Sequence, residues 1–160
     1  MSAWRLATHN EVSAIWQIRT RAILKGCASH YPHCLLARWS GVAMPVHFSN
    51  VLLNNQAIVL VDDSDQLIGF GFIDRLSSSL EACFVDPCFA GQGYGKRLVR
   101  ALEAQAIEVG LSTLSLSASL NAVGFYQQLG YEKGEMTPWK HPAGFTIDAY
   151  VMHKSLASDS

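Results

Sequence analysis

The sequence lacks several features that mark whole classes of proteins. No apolar run approaches the ~18 residues of a membrane-spanning helix, and the N-terminal residues lack the apolar core of a signal peptide. The four cysteines stand at irregular spacings, which fits reduced thiols better than a disulfide framework. A net charge of -1 supplies no general attraction to nucleic acid or to an anionic membrane. These absences predict a soluble, cytoplasmic protein with no nucleic-acid or membrane partner.

Length and composition favour one folded domain. A chain of 160 residues can bury a sizeable core, and 49% hydrophobic with 16% charged residues is typical of a globular protein. No internal repeat, linker or low-complexity segment divides the sequence. We therefore predict a single domain over residues 1–160 with one active site.

Apolar periodicity and turn signals predict a mixed α/β fold with a mostly antiparallel sheet. The predicted strands cover Trp4–Ala7, Ala57–Val61, Leu67–Ile73, Leu80–Val85, Thr113–Leu116, Tyr131–Lys133 and Phe145–Met152. The predicted helices cover Val12–Lys25, Leu35–Trp39, Pro45–Asn54, Gly93–Val109 and Asn121–Leu129. The apolar stripe of the first helix contains one charged residue, Arg19. The two helices between Cys27 and Asn55 are expected to face the substrate.

Three glycines, Gly91, Gly93 and Gly95, stand where the strand ending at Val85 gives way to a helix. Glycine in a helical turn costs about 1 kcal/mol relative to alanine, so their presence needs a further reason. A turn without side chains exposes backbone N–H groups, which together with the helix dipole form an anion site. Basic residues also stand near the positive end of the helix, where a bound anion would favour them: Lys96, Arg97 and Arg100. The turn is therefore predicted to bind phosphate.

Glycine spacing excludes two familiar phosphate-binding loops. A dinucleotide-binding turn needs a third glycine three residues after the second, but Lys96 occupies that position after Gly93. A P-loop needs Ser or Thr after its lysine, and Arg97 follows instead. A different phosphate-binding turn is required.

The stretch from Val85-Asp86-Pro87 to Gly91-Gln92-Gly93 resembles motif A of the GNAT acetyltransferases, whose backbone amides hold the acetyl-CoA pyrophosphate. A second block resembles motif B of the same family: Asn121, then Tyr126 five residues later, then Leu129-Gly130-Tyr131. The predicted element order matches the GNAT fold over nearly the whole chain. Within the family, His30-Tyr31 and Trp39 are similar to a small stand-alone bacterial subgroup related to YafP.

The resemblance implies acetyl-CoA as co-substrate, with no metal. It implies cofactor contacts at the strand end, the turn and motif B: Cys83, Phe84, Val85, Gly91, Gln92, Gly93, Tyr94, Gly95, Lys96, Arg97, Asn121 and Tyr126. It also assigns His30, Tyr31 and Trp39 to the acceptor site. Ala90 departs from the family pattern, which usually has Gln or Arg there. Asn121 has a second reading as the N-cap of its helix.

Two residues are candidates for proton transfer. Glu81 precedes the turn and, by strand alternation, shares a face with Cys83 and Val85, which predicts a general base acting directly or through water. The alternative is a solvated carboxylate or a partner of Arg75. Tyr126 is implied by the resemblance to be the general acid, with a core tyrosine as the alternative.

The remaining cysteines and histidines predict neither a metal site nor a nucleophile. Cys27, His30, His33 and Cys34 lie close in sequence, but their spacing does not match paired zinc-ligand patterns, so no metal is predicted. Cys83 is interpreted as a small hydrophobe rather than a nucleophile.

We predict an N-acetyltransferase that transfers acetyl from acetyl-CoA to an amine of a small molecule or peptide in a ternary complex. A longer acyl-CoA donor and a catalytically silent CoA-binding module are the alternatives. Edge strands leave homodimer formation open.

Overall fold

The computed structural model describes residues 3–156, and all structural statements concern this range. The strands are β1 (Ala3–Leu6), β2 (Ile58–Val61), β3 (Leu67–Asp74), β4 (Ser79–Val85), β5 (Thr113–Ser119), β6 (Glu132–Lys140) and β7 (Thr146–Ser155). The helices are α1 (Val12–Gly26), α2 (His33–Ser40), α3 (Phe48–Asn54), α4 (Tyr94–Glu108) and α5 (Val123–Gln128). Within residues 3–156, no helix is long and apolar enough to cross a membrane.

The seven strands form one sheet in the order β1-β2-β3-β4-β5-β7-β6. Every neighbouring pair is antiparallel except β4 and β5, which are parallel and share one paired position, Ser79 with Ser115. No other residues of β4 and β5 are paired, so the two strands diverge beyond this position. The predicted mixed α/β class with a mostly antiparallel sheet is confirmed.

Helices cover both faces of the sheet. On one face the apolar stripe of α4, including Leu98 and Leu102, packs on the central strands. On the other face Ile15 and Ile18 of α1 pack with Leu52 of α3. The opening between β4 and β5 therefore lies between two well-packed layers.

The last two strands are longer than predicted. β6 continues to Lys140 and lies at the sheet edge, where all but one of its side chains are exposed. An exposed edge strand needs no alternating apolar pattern and tolerates Pro138, so no periodicity in the sequence predicts this extension. The register also breaks between Lys133 and Met136.

Candidate active site

A cavity of about 710 Å³ occupies the gap between the diverging strands. Residues 80–85 of β4 form one wall and residues 116–119 of β5 the other, with Lys25, Asn121 and Tyr126 among the remaining lining residues. We call this space the strand-gap cavity. Divergence removes the sheet hydrogen bonds that these backbone groups would otherwise make, so the gap can accept a ligand that pairs with a strand edge.

The glycine turn lies at the edge of this cavity, directly after Ala90, which lines it. Gly91 and Gly93 have φ of 78° and 83°, and a Cβ on either would meet nothing within 4 Å. Gly93 is the N-cap of α4, and no side chain caps this helix. Its first N–H groups therefore face open space, as an anion site requires.

Gly95 is required for a different reason. A Cβ at this position would lie 3.2 Å from two ring atoms of Phe125. Glycine therefore lets the aromatic ring of α5 pack against the first turn of α4. This packing gives Gly95 a structural role that the sequence did not reveal.

An ion pair fixes the turn against α1. Arg21 donates to Asp86 at 2.6 Å, and the backbone N–H of Cys88 donates to the same carboxylate at 3.1 Å. Burial raises the pKa of Asp86, but the bonds from Arg21 and Cys88 outweigh burial, so the pKa lies below its ordinary value. Lys25, which lines this cavity, is exposed, as are Lys96 and Arg97 in the first turn of α4.

Tyr126 and Cys83 meet across the strand-gap cavity. The Tyr126 side chain is buried, and its hydroxyl is hydrogen-bonded to the Cys83 thiol. Burial raises the pKa of Cys83 to about 12 and, with the Cys83 charge, raises that of Tyr126 well above its ordinary value. Both groups therefore keep their protons at neutral pH. Cys83 is too weakly acidic to act as a nucleophile.

Glu81 lies at a bulge in β4. Phe72 pairs with Ala82 and Ile73 with Leu80, so Glu81 is the extra residue between them. Leu80 packs on the α4 side of the sheet and Ala82 on the α1 side, although residues two apart in a regular strand share a face. Regular alternation therefore does not place Glu81, although Glu81 and Cys83 both line the strand-gap cavity.

The Glu81 carboxylate is exposed and accepts a hydrogen bond from the Ser79 hydroxyl at 2.8 Å. It does not pair with Arg75, which donates to Gln56 instead. Glu81 lines both the strand-gap cavity and a second one beside it. It therefore stands at the boundary between two spaces.

The second cavity, of about 520 Å³, lies on the α1 side of β4, and we call it the aromatic cavity. Trp16 and Phe48 meet edge to face at 4.9 Å, and Trp39 and Trp139 at 6.4 Å, between ring centroids. Seven aromatic side chains line it: Trp16, Trp39, Phe48, Phe70, Phe72, Phe84 and Trp139.

A protein-family model described as "Acetyltransferase (GNAT) domain" matches residues 27–146, which is most of the chain. The chain belongs to the GNAT acetyltransferase family. This confirms the family predicted from the two motifs.

Curated GNAT relatives match over part of their length. Peptidyl-lysine N-acetyltransferase YjaB of Salmonella typhimurium is 36% identical over 74 residues, covering 46% of this chain and 48% of that protein. Uncharacterized N-acetyltransferase ycf52 of Pyropia yezoensis is 27% identical over 100 residues, covering 58% of each. The chain spans about half the length of these curated relatives.

Solved GNAT structures share the fold. A GCN5-related N-acetyltransferase of Rhodopseudomonas palustris, described as an aminotransferase of class II, superposes with a TM-score of 0.89 at 22% identity, covering 97% of this chain and 96% of that one. PaiA N-acetyltransferase of Thermoplasma acidophilum superposes with a TM-score of 0.70 at 17% identity, covering 97% of this chain and 99% of that one.

Asn121 lies where the GNAT resemblance predicts a cofactor contact. The N-cap of the 3-10 turn is Ser119 and that of α5 is Ala122, so Asn121 caps neither. Its side-chain oxygen is buried in the wall of the strand-gap cavity without a hydrogen-bond partner. Of the two readings of Asn121, the N-cap is wrong, and the unpaired oxygen can accept a ligand N–H.

The residues predicted for the acceptor site do not lie together. Trp39 lines both cavities, whereas His30 is exposed and lines neither. The Tyr31 hydroxyl donates to the Asp148 carbonyl at 2.6 Å and accepts from the Leu120 N–H at 2.9 Å. It therefore connects β7 to the turn before α5. Within the described range, no three His, Cys, Asp or Glu side chains cluster as metal ligands.

Two cationic residues that line the cavities were not predicted from the sequence as part of the site. Lys25 lines the strand-gap cavity, and Arg19 lines the aromatic cavity. The signal for Arg19 was its place in an apolar helical stripe, where a charged residue is unexpected.

Proposed function

We propose that this GNAT protein transfers the acetyl group of acetyl-CoA directly to a primary amine of a small molecule or peptide. One observation carries the proposal: a candidate base, Glu81, and a candidate acid, Tyr126, line the same cavity between diverging strands. An amine entering from the Glu81 side and a thioester beside Tyr126 can meet in one ternary complex.

The residues present fit the cofactor. The uncapped turn at Gly91–Arg97 offers backbone N–H groups to the pyrophosphate, and Gly93 leaves room for its approach. The diverging edge of β4 from Cys83 to Val85, together with the free oxygen of Asn121, suits the amides of the pantetheine arm. In support, PaiA was solved with coenzyme A, and YncA of Salmonella typhimurium with acetyl-CoA.

Acetyl-CoA supplies an activated acetyl group as a thioester, and the chain must supply the proton transfers. An alkyl amine of pKa about 10.4 is neutral in roughly one molecule in 2,500 at pH 7, a deficit of about 4.6 kcal/mol. Glu81 takes the amine proton, directly or through water, and its carboxylate accepts a hydrogen bond from the Ser79 hydroxyl.

Tyr126 holds the second proton. As the amine nitrogen bonds to the acetyl carbon, the carbon–sulfur bond breaks, and the Tyr126 hydroxyl protonates the departing sulfur. Burial raises the pKa of Tyr126, which keeps the hydroxyl protonated at neutral pH but weakens it as an acid; the same burial raises the pKa of a neighbouring sulfur, as at Cys83, and so favours transfer of the proton to it. The products are the amide and free CoA, and the proton held by Glu81 returns through solvent to Tyr126.

The acceptor site includes Trp39 and the aromatic cavity, which adjoins Glu81. YjaB is named a peptidyl-lysine N-acetyltransferase, which supports an amine acceptor. His30 and Tyr31 lie outside both cavities, so we do not retain them as direct contacts.

Thermal melting with and without acetyl-CoA tests the first requirement. Ligand at 100 times its dissociation constant adds about 2.7 kcal/mol to the free energy of unfolding. CoA release across an amine panel then tests turnover, and acyl-CoAs of increasing length test the donor. A melting shift without CoA release would indicate a silent CoA-binding module, and no shift in CoA-free folded protein would refute the proposal.

A further inference from the structure

The aromatic cavity has two charged lining residues, and they are opposite in sign. Glu81 of β4 and Arg19 of α1 both line it. The third titratable lining residue is His141, whose pKa is lowered by burial and then by the Arg19 charge, so it is neutral at pH 7. The rest of the wall is uncharged and largely aromatic. The cavity therefore presents one anion and one cation in an apolar frame.

Arg19 is buried, with 6% of its surface exposed. Its guanidinium lies 4.4 Å from the centroid of the Trp16 ring and donates to the Trp39 carbonyl at 2.8 Å. A weaker contact of 3.4 Å reaches the Thr20 hydroxyl. Both acceptors are uncharged, so neither neutralises the cation.

No carboxylate compensates this charge within residues 3–156. Burial lowers the pKa of Arg19 to about 10, and no nearby acid raises it again. Arg5, in contrast, pairs with Glu11 at 2.6 Å, and Arg21 pairs with Asp86. A buried cation without an anionic partner is costly to the fold, whereas an anionic ligand in the cavity would offset that cost.

A structural role explains Arg19 only in part. The Trp39 carbonyl lies in the last turn of α2, where a cation is favourable. That contact uses one N–H of the five in a guanidinium and does not require a cavity beside it. The planar guanidinium is also the group best suited to bind a carboxylate with two parallel bonds.

We propose that the acceptor is an aminocarboxylate with an apolar, aromatic-sized side chain. Its carboxylate pairs with Arg19, its amine points toward Glu81, and its side chain packs on the aromatic wall. The inference deepens the proposed function, on which its catalytic consequence rests. A cavity of about 520 Å³ lies within the range of roughly 300–1,000 Å³ usual for such ligands.

A panel of four amines tests separately the carboxylate, its negative charge and the aromatic side chain of the acceptor. L-phenylalanine has all of them, phenethylamine lacks the carboxylate, L-phenylalaninamide lacks the negative charge, and glycine lacks the side chain. We expect kcat/KM from CoA release to be at least about tenfold higher for L-phenylalanine than for each other amine, mainly through KM. Equal or better use of phenethylamine or glycine overturns the inference.

Substitution of the cation provides a second test. Arg19→Met keeps most of the side-chain length and should reduce the preference for L-phenylalanine over phenethylamine to near one, while Arg19→Lys should restore part of it. The matched control is Arg38→Met. Arg38 lies 5.1 Å over the Phe145 ring and lines neither cavity, so this variant should keep the preference. An unchanged preference in Arg19→Met overturns the inference.

Equilibrium binding tests the proposed acceptor without requiring that the protein turn it over. Trp16, Trp39 and Trp139 line the cavity, so their fluorescence can report titration with L-phenylalanine and with phenethylamine. Tighter binding of L-phenylalanine, lost in folded Arg19→Met, supports the inference even if no acetyl-CoA is consumed. Acetyl transfer to phenethylamine alone would uphold the proposed function and refute the inference.

Discussion

Substitution of Tyr126 by phenylalanine removes the hydroxyl that we propose protonates the leaving sulfur. The neighbouring Cys83 thiol reports what its surroundings do to a sulfur anion, because burial raises its pKa from 9.0 to about 12. A CoA thiolate expelled beside Tyr126 into the same apolar surroundings would likewise be disfavoured without a proton donor. We therefore expect kcat to fall by roughly 10²–10³-fold in Tyr126→Phe.

The assay is CoA release at saturating substrates, with acetyl-CoA affinity followed by the melting shift. Tyr131→Phe is the matched control, since its ring lies 5.5 Å from that of Tyr126 but its hydroxyl donates to Glu103 at 2.9 Å. This control should lose about 1–3 kcal/mol of stability, because the buried Glu103 carboxylate loses a hydrogen-bond donor. A loss of less than about tenfold in Tyr126→Phe, or an equal loss in Tyr131→Phe, would refute the acid role.

Three further predictions address the base, the turn and the ion pair. Glu81→Gln should lower kcat about 100-fold at neutral pH and approach the wild-type rate as pH rises, because alkaline solution supplies neutral amine without a base; a pH–rate profile parallel to wild type would count against this role. Gly93→Ala and its control Gly110→Ala both place alanine at positive φ, 83° and 90°, in open space. Each should lose about 1 kcal/mol of stability, but only Gly93→Ala should weaken acetyl-CoA binding in calorimetry. Asp86→Asn should cost about 1 kcal/mol, since the Arg21 partner is half exposed. Because the folded pKa of Asp86 lies below its unfolded value, this difference should be complete above pH ~4 and shrink as the pH falls through the folded pKa, as urea unfolding at several pH values can check.

The glycine turn and motif B could be read from sequence because each depends on residues close together in the chain. Positive φ at Gly91 and Gly93 restricts those positions to glycine, so the residue type itself signals the conformation. The stripe of Leu98, Leu102 and Ala106 likewise predicts the buried face of α4. Local chemistry therefore predicted the cofactor side of the candidate site.

The acceptor side could not be predicted in this way because it depends on tertiary placement. Nothing in the residues around Glu81 distinguishes a regular strand from a bulged one, since the bulge is defined by the pairing of β4 with β3. Similarly, Arg19 gains its significance from Trp39 and Trp139, which come from distant elements. Within α1, Leu24 is 49% exposed whereas its neighbour Ile23 is buried, a difference that apolar residue type alone does not predict.

The bulge at Glu81 also explains how one strand can serve both halves of the proposed reaction. In a regular strand Glu81 would share the face of Cys83, and base and acid would occupy the same side of β4. With the bulge, Leu80 packs on the α4 side and Ala82 on the α1 side, and Glu81 between them borders both the strand-gap cavity and the aromatic cavity. The amine proton can then leave toward the aromatic cavity while the sulfur receives its proton from Tyr126 in the strand-gap cavity. Two groups with separate surroundings therefore suit direct transfer in a ternary complex, in which no enzyme nucleophile carries the acetyl group.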